Sequence, residues 1–285
     1  QAGLCKVAIL LYGSTQRSRR ERRIFEAHTD LGYQYETPYG LPIPVGAYAL
    51  AASRHMALYG TTSQQLAELA VSTRAWASLN PTAYRREKLT VDEVLDSGMI
   101  ASPLHRLDCC LVTDGGGCVV VVSPDLAKSL PKPPIWLLGQ GESHSHAQIS
   151  EMPDLTITPA AESGKRAFAM AGIKHSDLDV VEIYDSFTIT VLLTLESLGF
   201  CNPGGGGEFI SGNRTAPGGE FPLNTNGGGL SYCHPGQYGI FLLIESVRQL
   251  RGECGERQVN NATLALASGT GGVLSSNSTC ILGLE

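Results

Sequence analysis

The sequence predicts an α/β protein in which helices pack in layers on sheets. Short apolar runs rich in valine, isoleucine and leucine are bounded by glycine, which is typical of buried strands. Longer stretches rich in alanine and leucine end at glycine or proline, as helices do. Strands and helices of this kind alternate along the 285 residues, and this alternation favours a layered fold.

The first part of the chain is predicted to hold two strands with helices between them. Both strands consist of apolar residues, and the second is rich in valine, so we expect it to be buried on both faces. Glycine closes the first long helix, and the threonines and serine at 61–63 are N-cap candidates for the next. The predicted elements are strands at 7–12 and 118–122, and helices at 44–59, at 64–78 and from 90 onwards.

A proline-rich stretch at 124–134 is predicted to separate two domains. It holds four prolines in eleven residues, which is typical of a linker or boundary. We therefore expect one domain at 1–130 and a second at 131–285. The second domain again alternates strands and helices, with strands predicted at 135–139, 178–183, 263–267 and 273–282 and helices at 159–171, up to 198, and at 236–251.

Composition excludes several classes of function. The formal net charge of −6 does not suit a nucleic-acid binder, and no apolar run is long enough to cross a membrane. One basic cluster is present, and it is either a solvated surface or a contact for a ligand's phosphates. Its members are Arg17, Arg19, Arg20, Arg22 and Arg23, mixed with Glu21 and Glu26.

Cysteine usage predicts reduced, buried thiols in a cytoplasmic protein. The eight cysteines show no CxxC spacing and lie mostly in apolar runs, so neither a zinc site nor a disulfide framework is predicted. His144 and His146 alternate, but no carboxylate or cysteine stands at a recognisable ligand spacing from them. We therefore predict no metal site.

Two stretches concentrate groups that do chemistry. Residues 224–239 read NTNGGGLSYCHPGQYG, in which three glycines allow close approach of the backbone to a ligand. Tyr232, Cys233 and His234 follow directly and offer acid–base groups. Residues 179–188 read DVVEIYDSFT and add Tyr184 and Asp185. Asp185 is predicted either to orient one of these groups or to cap the following helix.

Three motifs in this order resemble the thiolase superfamily. They are EIYDSF at 182–187, HPGQYG at 234–239 and ASGTGG at 267–272. The similarity is to the branch of sterol-carrier-protein-type thiolases and steroid side-chain "lipid-transfer" aldolases. It implies a five-layer α-β-α-β-α fold built from two similar halves, with the first half incomplete in this chain. It also implies a coenzyme A thioester as substrate with no bound cofactor, a homodimer, and a small DUF35-type partner with an OB-like fold and a zinc ribbon.

The resemblance assigns the active-site histidine to His234, and departures from the family pattern bear on the reaction. Thiolases of this type use a nucleophilic cysteine in a region that would lie upstream of Gln1, and a second cysteine in the C-terminal glycine loop. Here that loop reads Ala267-Ser268-Gly269, without cysteine. Cys233 is the candidate to replace it.

Two tyrosines change the predicted chemistry. Tyr184 and Tyr232 are predicted to act as an acid–base pair in a retro-aldol cleavage of a β-hydroxyacyl-CoA, for which no acyl-enzyme is needed. A free phenol has a pKa of ~10, so as a base at neutral pH it is disfavoured by roughly 4 kcal/mol, and His234 is the expected proton relay. Backbone amides at Gly228, Gly229 and Gly271 are the predicted oxyanion donors.

Two other functions stay open at this stage. A thiolase, that is an acetyl-CoA acyltransferase, would use a cysteine upstream of residue 1. A non-catalytic thiolase-like subunit would bind acyl-CoA without breaking a bond.

Overall fold

The computed structural model describes residues 3–19, 31–41 and 44–284, and it confirms the α/β class. The strands of this part are β1 (Val7–Ser14), β2 (Met99–Ala101), β3 (Leu104–His105), β4 (Gly115–Val122), β5 (Trp136–His144), β6 (Val180–Ile183), β7 (Leu264–Gly271) and β8 (Ser276–Gly283). The α-helices are α1 (Gln16–Arg19), α2 (Leu31–Glu36), α3 (Val45–Tyr59), α4 (Ser63–Ser78), α5 (Val91–Leu95), α6 (Pro124–Ala127), α7 (Ala160–Ala171), α8 (Thr188–Leu198), α9 (Gly206–Ile210) and α10 (Gly239–Leu250).

Local capping signals explain where several helices begin and end. Thr62 and Thr90 each form a capping box with the residue three positions later, which satisfies backbone N–H groups at the starts of α4 and α5. Gly60, Gly172 and Gly199 close α3, α7 and α8 in the left-handed conformation that glycine adopts without steric cost. These ends agree with the boundaries predicted from the sequence.

A four-stranded sheet in the order β5-β8-β7-β6 supports the candidate site. β7 and β8 are antiparallel, as are β5 and β8, whereas β6 runs parallel to β7. α7 packs closely on β5. The two elements are so close that a Cβ at Gly139 would collide with the carbonyl of Ala167. α10 packs against β7 and β6. β6 therefore ends between packed helices, next to the residues that follow it.

α8 begins just beyond β6 and is buried along its length. Ile189, Leu192, Leu193 and Leu195 are each inaccessible to solvent, which is expected for a helix that is apolar on every side. α3, α4, α7 and α9 surround it. The N-terminal end of this central helix thus points to the candidate site, and the rest of it forms the core.

The β1–β4 pair corrects one prediction. Both strands form as expected, but they are not buried on both faces: Ile9 is 66%, Leu11 77% and Val120 57% exposed. The opposite face packs on α10, where a Cβ at Gly117 would lie 2.6 Å from Ile244 Cδ1. An apolar pattern predicts strand structure, but it does not show whether a second layer covers the strand.

The structure also bears on the expectations for the cysteines, the basic cluster and membrane-spanning helices. All eight thiols are free, yet only Cys254 is fully buried, and Cys5 and Cys118 are exposed. In the basic cluster, Arg17 stacks 4.9 Å from the Tyr84 ring centroid; Arg20 to Arg23 lie outside the described residues. No described helix is both long and apolar enough to span a membrane. The domain division at residue 130 stays a prediction.

A polar network beneath β6 contains a carboxyl group that must carry a proton. The Thr225 hydroxyl lies 2.7 Å from Glu182 Oε1 and 2.9 Å from Glu245 Oε1. One hydroxyl proton cannot serve both carboxylates, and Glu245 is already ion-paired with Arg257 at 2.8 Å. Burial, followed by the charge of Glu245, raises the pKa of Glu182 well above its ordinary value. Glu182 is therefore the protonated member.

We expect Glu182→Gln to remove part of the pH dependence of stability. The folded protein holds a proton on Glu182 that the unfolded chain releases above about pH 4.5, so the free energy of unfolding falls by roughly 1.4 kcal/mol per pH unit above that point until the folded group ionises. Chemical denaturation at pH 5, 6 and 7 measures this slope. The exposed Glu208→Gln should keep the native slope. Equal slopes for all three proteins would show that Glu182 is ionised when folded.

Candidate active site

The centre of the site is a hydrogen bond between a tyrosine and a histidine that are 50 residues apart. The Tyr184 hydroxyl lies 2.5 Å from His234 Nε2. The two rings are stacked, with centroids 5.6 Å apart and planes 22° from parallel. Both side chains are only partly buried, so each keeps some contact with solvent. The sequence-predicted residues Tyr184 and His234 are thus in direct contact.

Sheet pairing fixes Tyr184 in place. Its backbone N–H donates to the carbonyl of Ser268 on β7, at 3.0 Å. One residue earlier, the Ile183 N–H donates to Asn224 Oδ1 at 2.8 Å. β6 therefore ends with its last residues anchored both to the neighbouring strand and to the glycine-rich stretch. The side chain of Tyr184 projects from this fixed end of the sheet.

The second and third of the three glycines begin a π-helical turn, Gly228–Tyr232, that lies against Asp185, and Gly227 caps its start. Gly227 and Gly228 have φ of 100° and 61°, a region that side chains with a Cβ rarely adopt. A Cβ at Gly228 would overlap Asp185 Oδ2. Asp185 is fully buried and accepts the N–H groups of Gly229 at 2.5 Å and Leu230 at 3.0 Å. Glycine is required at 228 because the buried carboxylate lies against its backbone, whereas a Cβ at Gly227 would lie 2.5 Å from Ala77 Cβ.

His234 is held by a segment that the sequence analysis did not connect with it. Its backbone N–H donates to Thr113 Oγ1 at 3.0 Å, and the Thr113 N–H donates back to the His234 carbonyl. Burial lowers the pKa of His234 to about 4. A hydrogen bond with the Leu111 backbone raises this pKa, but by less than burial lowers it. The imidazole is therefore neutral at neutral pH, and its Nε2 can accept a proton.

Tyr238 and Tyr12 are further residues of the site that sequence reasoning missed. The ring of Tyr238 is fully buried and stacks on Tyr184 at 5.6 Å between centroids, while its hydroxyl donates to Asn226 Oδ1. The Tyr12 hydroxyl donates to the Pro235 carbonyl at 2.7 Å. Tyr238 lies within the HPGQYG motif, which was a usable signal. Nothing in the local sequence connects Tyr12 with a loop 223 residues away.

Tyr232 ends the turn and Cys233 follows it directly. The Tyr232 ring packs edge-on to Phe241 at 6.2 Å, and its hydroxyl bonds with Thr82. Burial is the main cause that raises the pKa of Tyr232, and also that of Tyr184. Burial raises the pKa of Cys233 to about 12, so its sulfur is a neutral thiol. The pairing of Tyr232 with Tyr184 in one reaction stays a prediction.

Two of the three predicted oxyanion donors are engaged by the protein. The Gly228 N–H donates to Asn226 Oδ1 at 2.7 Å, and the Gly229 N–H donates to Asp185. Gly271 lies at the end of β7, where its carbonyl accepts the Ser275 N–H. A substrate oxygen would have to displace a side chain to use the first two amides. Their oxyanion role stays a prediction.

The glycine loop of β7 holds a serine at the position expected for a second cysteine. Ser268 is inaccessible to solvent, and its hydroxyl lies 3.2 Å from Asn277 Oδ1 and 3.3 Å from Thr279 Oγ1. Ser268 on β7 thus forms a buried polar cluster with Asn277 and Thr279 on β8. Among the described residues, no group of three or more histidine, cysteine or carboxylate side chains is placed to bind a metal.

With the fold and the site established, comparison with known proteins defines the class. Residues 141–284 match the family model "Thiolase C-terminal domain-like". The chain therefore belongs to the thiolase superfamily, which confirms the resemblance carried by the three motifs.

Particular relatives include aldolases of the predicted branch. A steroid side-chain-cleaving aldolase of Thermomonospora curvata is 35% identical over 258 residues, covering 88% of this chain and 65% of the relative. An acetyl-CoA acetyltransferase of Methanothermobacter thermautotrophicus is 36% identical, covering 84% and 63%. The solved Ltp2-ChsH2(DUF35) aldolase superposes with a TM-score of 0.88 at 31% identity, covering 99% of this chain and 73% of that chain. This chain thus spans less than two thirds of both curated relatives.

We expect Gly228→Ala to destabilise the protein much more than Gly252→Ala. Both positions have positive φ, but an added Cβ has open space at Gly252 and overlaps Asp185 at Gly228. Left-handed backbone strain alone costs roughly 1 kcal/mol, whereas strain with a buried clash should cost about 3 kcal/mol or more. Denaturation midpoints of the two variants measure the difference. Equal losses would show that the turn does not press against the carboxylate.

Proposed function

We propose that the protein to which this chain belongs cleaves the Cα–Cβ bond of a β-hydroxyacyl-CoA by a retro-aldol reaction of the steroid side-chain type. The observation that carries the proposal is the 2.5 Å hydrogen bond between the Tyr184 hydroxyl and a neutral His234. A phenol bonded to an imidazole is a proton relay, and a retro-aldol reaction needs one at the substrate hydroxyl. The aldolase relatives support the same reaction.

Tyr184 acts in this proposal as a relay, because its raised pKa keeps it protonated. Its oxygen takes the proton of the substrate β-hydroxyl while its own proton passes to His234 Nε2. No tyrosinate forms at Tyr184 in this step; the proton is carried instead by an imidazole whose pKa is about 4, at a transient cost of roughly 4 kcal/mol at neutral pH. A shared proton over 2.5 Å suits such a concerted transfer.

Bond cleavage follows from that transfer. As the O–H bond breaks, a carbonyl forms at Cβ and the Cα–Cβ electron pair moves into the thioester enolate. Cα then takes a proton from the hydroxyl of Tyr232. The hydrogen bond with Thr82 stabilises the phenolate that this leaves. Tyr232 then recovers a proton from protonated His234 through solvent. The products are a ketone and a shorter acyl-CoA. No covalent intermediate and no external oxidant is needed.

His234 and the glycine loops also serve the enolate oxygen in this proposal. With its pKa lowered to about 4, a protonated His234 is a strong acid and a good hydrogen-bond donor toward a developing negative charge. The amides of Gly228 and Gly229 would join it only after leaving Asn226 and Asp185. Cys233 and Asp185 take no proton from substrate.

Coenzyme A enters only as the thioester of the substrate, and we propose no other bound cofactor. The solved Ltp2-ChsH2(DUF35) aldolase supports a DUF35-type partner. We propose for this partner the OB-like fold and zinc ribbon that the family resemblance implies. We further propose a homodimer in the cytoplasm. The steroid nature of the acyl chain rests on the name of the Thermomonospora relative.

A thiolase acyltransferase is the second candidate, favoured by the acetyl-CoA acetyltransferase relative. In this chain the glycine-loop cysteine is replaced by Ser268, which is buried and hydrogen-bonded, and Cys233 is a neutral thiol. These observations favour the aldolase over the thiolase. A non-catalytic acyl-CoA-binding subunit would bind the same thioester without cleavage.

Replacing Tyr184 or Tyr232 by phenylalanine should lower kcat for retro-aldol cleavage by roughly 100-fold or more, because each variant loses a proton-transfer group. The assay follows ketone and acyl-CoA release from a β-hydroxyacyl-CoA bearing a tertiary alcohol, with the proposed partner present. Tyr39→Phe, at a tyrosine that is 88% exposed, is the control and should match the native rate. Near-native cleavage by Tyr184→Phe would reject the assignment.

Mass spectrometry of the enzyme after incubation with acyl-CoA separates the alternatives. We expect no acylated cysteine during cleavage. A trapped acyl-cysteine would establish the thiolase route instead. Binding of acyl-CoA with neither acylation nor cleavage would favour the non-catalytic subunit.

A further inference from the structure

We propose that Asp185, in its carboxylate form, is a positioning residue that holds the Gly228–Tyr232 turn against Tyr184 and His234 and so sets the reactive geometry. This inference rests on the proposed function and deepens it. Asp185 touches no reacting atom. It joins the two stretches that supply the site, since it follows Tyr184 in the chain and accepts hydrogen bonds from the turn.

The carboxylate is held only by neutral donors. It is inaccessible to solvent, and the N–H groups of Gly229 and Leu230 each approach a different oxygen, Oδ1 at 2.5 Å and Oδ2 at 3.0 Å. In the part of the chain that the structure describes, no lysine, arginine or histidine forms an ion pair with it. A buried charge without a counterion depends on its hydrogen bonds, so the turn and the carboxylate stabilise each other.

Both oxygens must be acceptors for this arrangement to persist. A proton on either oxygen would place an O–H opposite a backbone N–H, and an asparagine would place an NH₂ group there. The carboxyl group of Asp185 has no room to shift towards Gly228, because a Cβ on that glycine would already overlap Oδ2. Asp185→Asn therefore keeps the size of the side chain but turns one acceptor into a donor.

The turn transmits this constraint to the site. Ser231 and Tyr232 donate their N–H groups to the Gly227 carbonyl, and the Gly229 carbonyl accepts from Leu111. A Cβ at Gly229 would lie 3.3 Å from both the Asp185 carbonyl and His234 Cδ2. A turn released on the Asp185 side would therefore move Tyr232 and the His234 ring together. Displacements of about 1 Å in such groups cost up to 100-fold in rate.

Titration of Asp185 gives the proposal a distinctive readout. Burial outweighs the hydrogen bonds and raises the pKa of Asp185 from 3.8 to about 7. The titratable groups that face it are Glu182 and Tyr184 on its own segment, Cys233 and His234 just after the turn, and Tyr238 before α10. His234 titrates near 4 and Cys233 near 12, while the pKa values of both tyrosines are raised above 10. Glu182 is tested separately by Glu182→Gln.

The direction in which kcat changes with pH follows from which protonation state of Asp185 holds the turn. The ionised form accepts both N–H groups, so kcat should be at its plateau well above pH 7 and fall below it, levelling off at the reduced kcat of Asp185→Asn. Asp185→Asn should have a kcat reduced roughly 10- to 100-fold, a KM within about threefold of native, and no inflection near pH 7. Glu182→Gln should keep the inflection.

The matched control is Asp179→Asn at the opposite end of β6. Asp179 also accepts two backbone N–H groups, those of Thr263 and Leu264, but it is only partly buried and lies at the end of β6 away from the turn. It should keep the native pH profile. An inflection near pH 7 that persists in Asp185→Asn, or a native kcat in that variant, would overturn the proposal.

NMR of the native protein tests the turn without any assay of activity. The amide protons of Gly229 and Leu230 should shift together with pH around an apparent pKa of about 7 as the carboxylate ionises. Amides that do not titrate there would overturn the proposal, even if Asp185→Asn fails to fold. Amides that titrate in a protein that cleaves no β-hydroxyacyl-CoA would support the role of Asp185 in the turn and reject the proposed function instead.

Discussion

The site depends on a buried carboxylate that is bonded to backbone amides and paired with no cation among the described residues. Asp185 lies between the end of β6 and the glycine turn, and its charge is stable there only because Gly229 and Leu230 donate to it. The close approach explains the glycines at 228 and 229, while Gly227 is needed where the backbone passes Ala77. It also brings Tyr184 and His234 to the same place, although they belong to different elements.

Desolvation controls the chemistry of every titratable group around this carboxylate. Burial raises the pKa of Tyr184, Tyr232 and Cys233 and lowers that of His234, so each group is neutral at neutral pH. A site of neutral groups works by passing protons along hydrogen bonds. This condition suits a retro-aldol reaction, which moves protons but needs no thiolate nucleophile.

Much of the fold and the main site residues were predictable because they depend on local signals. Capping threonines, terminal glycines and apolar runs specify helix and strand ends within a few residues of sequence. The motifs around Tyr184 and His234 were legible for the same reason. Tyr12 and Thr113 were not predictable as site residues, since each reaches His234 or Pro235 only through long-range packing.

The sequence by itself determined the α/β class, the superfamily and the chemical groups available at the site. The tertiary structure decided which of those groups meet and which are already engaged. It placed His234 on Tyr184 and bonded the Gly228 and Gly229 amides to side chains. It also left one face of β1 and β4 exposed, where the apolar pattern predicted burial. The physical reason is that propensity and capping act over a few residues, whereas burial and hydrogen-bond partners depend on segments far apart in the chain.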